Sequence, residues 1–85
     1  MTMAVQIRYF ASIREALGVG EESLTEQFLT LGQLRDHLIA RGGVYAEVLA
    51  RDRPVRLALN QSMAAESTQL PALCEVAFFP PVTGG

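Results

Sequence analysis

The 85-residue chain contains no lysine, and all seven of its basic residues are arginine. Without an ε-amine, it cannot be joined to its own carboxyl terminus through a lysine side chain. Its single cysteine, Cys74, excludes an internal disulfide, which fits a reducing compartment. We predict that Cys74 is a small buried hydrophobe. His37 is the only histidine, and no ligand spacing surrounds it, so no metal site is predicted.

Long apolar segments are also missing. No run approaches the roughly 20 apolar residues that cross a bilayer, and the N-terminus lacks the basic region and apolar core of a signal peptide. The formal net charge of -2 argues against attraction to a phosphate backbone. We therefore expect a cytoplasmic protein that binds neither a membrane nor a nucleic acid.

The first third of the chain predicts a β-hairpin that encloses a short helix. Alternating apolar residues over 3–9 indicate a strand with one buried face. Ser12 and Glu15 have the spacing of a capping box, which predicts a helix over 12–17 that ends at Gly18. A second strand is predicted over 23–28, antiparallel to the first.

The main helix is predicted to begin at Thr30, because Thr30 and Gln33 form a second capping box and Leu29 is placed to pack on Leu34. Gly42-Gly43 is expected to end this helix. Helical spacing predicts one apolar stripe that faces the core; its members are Leu31, Leu34, Leu38 and Ile39.

The second half predicts mostly strands. A weaker helical stretch over 44–51 precedes a strand that starts at Pro54, a short strand at Met63-Ala64 and a last strand that ends at Phe79. With the first and last strands free to pair at the centre, the order of elements predicts an α+β fold with one main helix across one face of the sheet.

The last residues of the chain are not predicted to continue the strand. Pro80-Pro81 stops the ladder because proline has no N–H to donate and fixes φ. Gly84 and Gly85 have no Cβ, so a partner's walls can close around the backbone there. We predict a domain over 1–80 and an extended tail over 81–85.

Two adjacent aromatic residues precede the tail. In a strand, the side chains of Phe78 and Phe79 point to opposite faces of the sheet, and a single helix covers one face. We expect one of the two to contact a partner; the sequence does not decide which. No catalytic constellation accompanies them, so chemistry must come from partner proteins.

The residues Glu75-Val76-Ala77-Phe78-Phe79-Pro80-Pro81-Val82-Thr83-Gly84-Gly85 closely resemble the C-terminus of the small subunits of molybdopterin synthase, a family of ubiquitin-like sulfur carriers. The resemblance continues at Tyr9-Phe10-Ala11, Arg14-Glu15 and Asn60-Gln61. It implies a β-grasp fold and a non-catalytic, sulfur-donating subunit.

The resemblance also implies a reaction sequence. An E1-like adenylyltransferase consumes ATP to adenylate the Gly85 carboxylate, a sulfur donor converts it to a thiocarboxylate, and the tail delivers sulfur to cyclic pyranopterin monophosphate. Gly84 gives clearance, and no cofactor is bound. The implied partner is the large synthase subunit, in a heterotetramer of two small and two large subunits. Residues Phe78, Phe79, Pro80, Pro81, Val82 and Thr83 would bind it.

Two other functions stay open from the sequence. The chain could carry sulfur for thiamine biosynthesis or tRNA thiolation, or it could be a ubiquitin-like modifier that is joined to lysines of other proteins.

Overall fold

A computed structural model describes residues 4–81. In chain order, the elements are β1 (Ala4–Tyr9), α1 (Ala11–Leu17), β2 (Glu21–Leu24), α2 (Leu31–Ile39), α3 (Gly43–Val48), β3 (Arg56–Leu59), β4 (Ser62–Met63) and β5 (Leu73–Phe79). The strands form one sheet in the order β2-β1-β5-β3-β4. β1 and β5 are parallel at the centre, and the other neighbours are antiparallel. This confirms the predicted α+β, β-grasp architecture.

The sheet has an inner face, on which the helices pack, and an outer face. Strand alternation sends Val5, Ile7 and Tyr9 of β1 inward, together with Val76 and Phe78 of β5. All five side chains are at most 3% exposed. Since β5 has a paired strand on both sides, its inward residues lie at the centre of the core.

Helix α2 supplies most of the helical side of the core, as its apolar spacing predicts. Leu31, Leu34 and Leu38 are fully buried, and Ile39 packs beside them. Thr30 caps the helix, because its Oγ1 accepts a hydrogen bond from Gln33 N at 3.2 Å. The predicted packing of Leu29 on Leu34 is wrong: Leu29 is 60% exposed, and its hydrogen bonds are made by its backbone, whose N–H donates to Gln33 Oε1 and whose carbonyl accepts from Leu70 N.

The predicted cap of the first helix is also wrong. Helix α1 begins at Ala11, with Phe10 in the N-cap position and no side-chain cap. The turn is made by Ala11 itself, whose φ of 51° lies in the left-handed region. The hydrogen bond from Phe10 N to Phe78 O continues the β1–β5 ladder up to this turn, so the helix begins where the sheet ends.

Strand β2 covers residues 21–24, earlier than the predicted 23–28. Glu22, an inward-facing residue of β2, is charged rather than apolar. The apolar alternation that indicates a strand therefore does not show where β2 begins. The Glu22 carboxylate accepts hydrogen bonds from Tyr9 Oη at 3.0 Å, Tyr45 Oη at 3.0 Å and Arg41 Nη1 at 3.1 Å. Burial raises the pKa of Glu22, but these donors outweigh it and the net pKa is lowered.

We predict that Glu22→Gln lowers the free energy of unfolding by about 2 kcal/mol at neutral pH, since hydrogen bonds to a charged group are the stronger ones. A carboxylate whose pKa is lowered on folding stabilises the protein above its unfolded-state pKa, and this contribution is lost as pH falls through the folded-state pKa. Denaturant titrations at several pH values should therefore show that the difference in unfolding free energy between parent and variant becomes smaller in acid.

The matched control for this prediction is Glu21→Gln, because the Glu21 side chain is 68% exposed and the one ion pair it makes within residues 4–81, to Arg8, spans 3.9 Å. It should change the unfolding free energy by no more than about 0.5 kcal/mol. A constant difference between parent and Glu22→Gln from neutral pH to acid would contradict the assigned role of the carboxylate.

Candidate functional site

The outward residues of the sheet form an apolar surface next to the point where the described chain ends. We call it the outer patch; its apolar members are Phe10, Ala58, Met63, Ala77, Phe79, Pro80 and Pro81. Together with Ala11, Arg8, Gln61 and Glu75, they line an open concavity of about 700 Å³. The tail therefore leaves the domain directly beside an apolar hollow.

Strand register explains why these side chains meet. Ala77 of β5 pairs with Ala58 of β3, and Ala58 pairs with Met63 of β4, so the three outward side chains form a row across the sheet. Phe79 follows Ala77 on the same face, because side chains two residues apart in a strand share a face. The small side chains of Ala58 and Ala77 leave space for the hollow, and larger side chains surround it.

The two adjacent phenylalanines lie on opposite faces of the sheet. Phe78 is fully buried and stacks on Tyr9 with ring centroids 6.0 Å apart. The prediction that Phe78 binds a partner is therefore wrong: it belongs to the core. Phe79 lies half-buried on the outer patch, where a partner can reach it.

Phe10 and Met63 are patch residues that the sequence analysis missed. Phe10 is 44% exposed and Met63 is 61% exposed, so both add apolar surface to the patch. The signal for Phe10 was available, because it extends the outward alternation of Gln6 and Arg8 by one more step. Met63 could not be found in this way, since β4 has only two residues and shows no period.

One arginine borders the patch. Arg8 lies between Glu21 at 3.9 Å and Glu75 at 3.7 Å, with its side chain 47% exposed. Ion pairs that are this long and this exposed stabilise the fold little. The guanidinium is therefore available to a partner's carboxylate at the edge of an otherwise apolar contact.

The described residues include neither a metal-ligand cluster nor an exposed thiol. Within residues 4–81, no three His, Cys, Asp or Glu side chains come together as a metal site. Cys74 is buried as predicted, and burial raises the pKa of its thiol, which disfavours the nucleophilic thiolate. Burial and Glu22 likewise raise the pKa of Tyr9.

Only some of the remaining predicted site residues lie within the described part of the chain. Pro80 and Pro81 lie half-buried at the end of β5 and line the concavity beside Phe79. Val82, Thr83, Gly84 and Gly85 lie outside the described residues, so their predicted roles stay predictions. None of the helices within residues 4–81 has the length and apolar character that a membrane span requires.

Comparison with known proteins gives consistent matches. The model of the ThiS family matches residues 7–85. The molybdopterin synthase sulfur carrier subunit of Haemophilus influenzae is 35% identical over 81 residues, which cover 95% of this chain and 99% of that protein.

Two solved structures are similar over nearly the whole chain. SAMP1 from Haloferax volcanii matches with a TM-score of 0.77 at 25% identity, covering 96% of this chain and 99% of that one. Subunit 1 or 2 of the molybdopterin-converting factor of Helicobacter pylori, solved as a complex of the two subunits, matches with a TM-score of 0.68 at 25% identity. The match covers 98% of this chain and all of that one.

Proposed function

Because the chain belongs to the ThiS family, we propose that it is the sulfur carrier subunit of a molybdopterin synthase. The observation that carries the proposal is the place where β5 ends. Strand β5 ends at Phe79 beside an apolar patch, and Pro80-Pro81 then leads to a sequence that ends in Gly84-Gly85. A domain with this end and no catalytic constellation in its described part is suited to presenting its carboxyl terminus to other proteins.

The proposed chemistry takes place at the Gly85 carboxylate. A carboxylate is a poor electrophile because its oxygen is a poor leaving group. An ATP-using, E1-like enzyme would form an acyl-adenylate and release pyrophosphate. Sulfide from a donor would then displace AMP and leave a thiocarboxylate; if the donor is a persulfide, an acyl disulfide forms first and a thiol reduces it to the thiocarboxylate. Glycine suits these steps, because an unbranched residue leaves the carbonyl carbon open to attack.

The thiocarboxylate would then enter the large subunit and donate its sulfur to cyclic pyranopterin monophosphate. A dithiolene contains two sulfur atoms and each carrier brings one, so the proposed assembly of two small and two large subunits would consume two loaded carriers for each product formed. The similarity to one chain of a two-subunit complex supports a large-subunit partner. Single-turnover conversion by the purified large subunit and the sulfur-loaded chain tests the function. Formation of molybdopterin supports it, and unchanged precursor contradicts it.

The outer patch is the proposed docking surface for the large subunit. A stable complex buries about 1,200–2,000 Å² in total, more than a tail of five residues can supply. Phe10 and Met63 are exposed and Phe79 is half-buried; all three line the hollow beside Pro80 and Pro81 and would contribute the remaining area. Arg8 and Glu75 provide a polar edge, as is common at interfaces.

We predict that Phe79→Ser or Met63→Ser weakens binding to the large subunit by roughly 2 kcal/mol, a loss typical of residues at the centre of an interface. Calorimetry gives the dissociation constants. Leu73→Ser is the matched control, because Leu73 is 63% exposed at the far end of β5 and does not line the patch. Equal effects of all three variants, or tight binding by a peptide of residues 79–85 alone, would refute the patch as the docking surface.

A second candidate, a modifier joined to other proteins, is favoured by the similarity to SAMP1, whose name stands for small archaeal modifier protein 1. Probing a lysate for this chain separates the two functions. A modifier gives a ladder of higher-mass conjugates, whereas a carrier gives a single band. Because the chain has no lysine, such a ladder could not come from links to its own lysine side chains.

A further inference from the structure

A second groove lies beside the root of the tail, between helices α1 and α3. Its volume is about 320 Å³. The groove, which we call the helix groove, is lined by Ser12, Ile13, Ala16, Glu47, Val48, Arg53, Pro54, Val55, Pro80 and Pro81. Nothing in the sequence analysis pointed to it, because its residues come from four separate segments.

The lining of the helix groove combines an apolar floor with one available cation. Val48 and Val55 are half-buried, and Ala16 is exposed. Arg53 has one ion pair among the described residues, to Glu47 at 3.9 Å, and the two side chains are 55% and 69% exposed. An ion pair of this length and exposure contributes little. A partner's carboxylate could therefore replace Glu47 at small cost.

Pro80 and Pro81 form the boundary between this groove and the outer patch, since both prolines line both concavities. The chain toward Gly85 continues from that boundary. A protein that encloses the chain beyond Pro81 must approach from around this point, so its surface passes over both hollows. The helix groove is thus continuous with the docking surface proposed above.

We propose that the protein that receives the tail also docks in the helix groove, placing an apolar side chain against Val48 and Val55 and a carboxylate against Arg53. The inference rests on the proposed function, because the large subunit is taken as that protein. The tail would then be held on two sides, by the outer patch and by the helix groove. Holding both sides fixes the direction in which the tail leaves the domain.

The test uses two groove variants of the full chain, Arg53→Glu and Ala16→Glu. The first reverses the charge that the partner's carboxylate meets, and the second adds bulk and negative charge at the groove's mouth. Each should raise the Kd for the large subunit at least tenfold by calorimetry. Arg53→Glu should also slow association and reduce its dependence on salt, because a charge at the edge of an interface steers encounter.

Arg14→Glu is the matched control. It changes the net charge by the same amount as Arg53→Glu, but Arg14 lies on α1 and lines a different hollow, together with Glu15 and Gly18. It should leave the Kd within about twofold, a difference of roughly 0.4 kcal/mol. If both groove variants bind like the control while Met63→Ser still weakens binding, the groove inference is wrong and the proposed function stands. If none of the variants, Met63→Ser included, changes the Kd, the docking surface of the proposed function fails as well.

The groove could instead hold the chain's own tail. Amide NMR spectra of the free protein with and without residues 82–85 decide this. Unchanged signals from Ala16, Val48 and Val55 support a partner as the occupant. Large shifts at these residues would show that the tail occupies the groove and would overturn the proposal.

Discussion

Deleting Gly85 is expected to abolish sulfur transfer completely while leaving the thermal melt unchanged. The acyl group that would carry the sulfur belongs to this residue, and within residues 4–81 the core is already built from β1, α1, α2, Leu49, β3 and β5. Replacing Gly85 with a bulky residue should have the same effect, because the added side chain blocks the narrow passage that a terminal glycine fits.

The measurement is single-turnover molybdopterin formation beside a melt of each variant. Leu73→Ser is the matched control, since Leu73 is 63% exposed at the far end of β5 and does not line the outer patch, and it should retain the transfer. A large drop in melting temperature on deletion of Gly85 would contradict the expectation, because it would mean that the terminus stabilises the fold.

Truncating the α2 stripe is expected to have the largest effect on stability. Leu34→Ala or Leu38→Ala should each cost about 2–5 kcal/mol, because both side chains are fully buried and the substitution leaves a cavity. A domain of this size has roughly 5–10 kcal/mol in total, so either variant should be partly unfolded at moderate temperature.

Leu29→Ala is the matched control for these truncations. Leu29 directly precedes the Thr30 cap, but its side chain is 60% exposed, so its loss should change the unfolding free energy by no more than about 0.5 kcal/mol. Denaturant unfolding followed by circular dichroism measures all three variants. A cost for Leu29→Ala as large as that for Leu34→Ala would mean that the core has been assigned wrongly.

The sequence predicts the parts of the fold that have a clear period. The α2 stripe and the central pairing of β1 with β5 follow from apolar spacing and element order, and both are confirmed. The start of α1 could not be predicted in this way. It depends on Ala11 adopting a left-handed backbone, which alanine does rarely.

Buried polar residues mark the other limit of the sequence analysis. Arg35 lies on the buried side of α2 and is 4% exposed, because its guanidinium donates hydrogen bonds to the Leu49 and Ala50 carbonyls at 2.8 and 2.9 Å. A guanidinium in such a place depends on backbone oxygens that become available only when α3 has folded. No local pattern in the sequence predicts that arrangement.

The candidate site was predicted in outline only. Adjacency of two phenylalanines shows that one of them faces away from the core, but it does not show which. The choice depends on register: Phe78 pairs with Tyr9 and Leu57, which both point inward, so Phe79 must point outward. Phe10, Ala58 and Met63 come from three other segments, and only the structure shows that they meet Phe79.

Intact mass spectrometry tests the central claim most directly. The purified full-length chain is incubated with ATP, the activating enzyme and a sulfur donor, and its mass is compared with that of a sample without ATP. We predict a mass increase equal to the replacement of one oxygen atom by one sulfur atom, located at Gly85 by fragmentation and absent when Gly85 is deleted. An unchanged mass after incubation with all components, or a sulfur atom located at Cys74 instead of Gly85, would contradict the account.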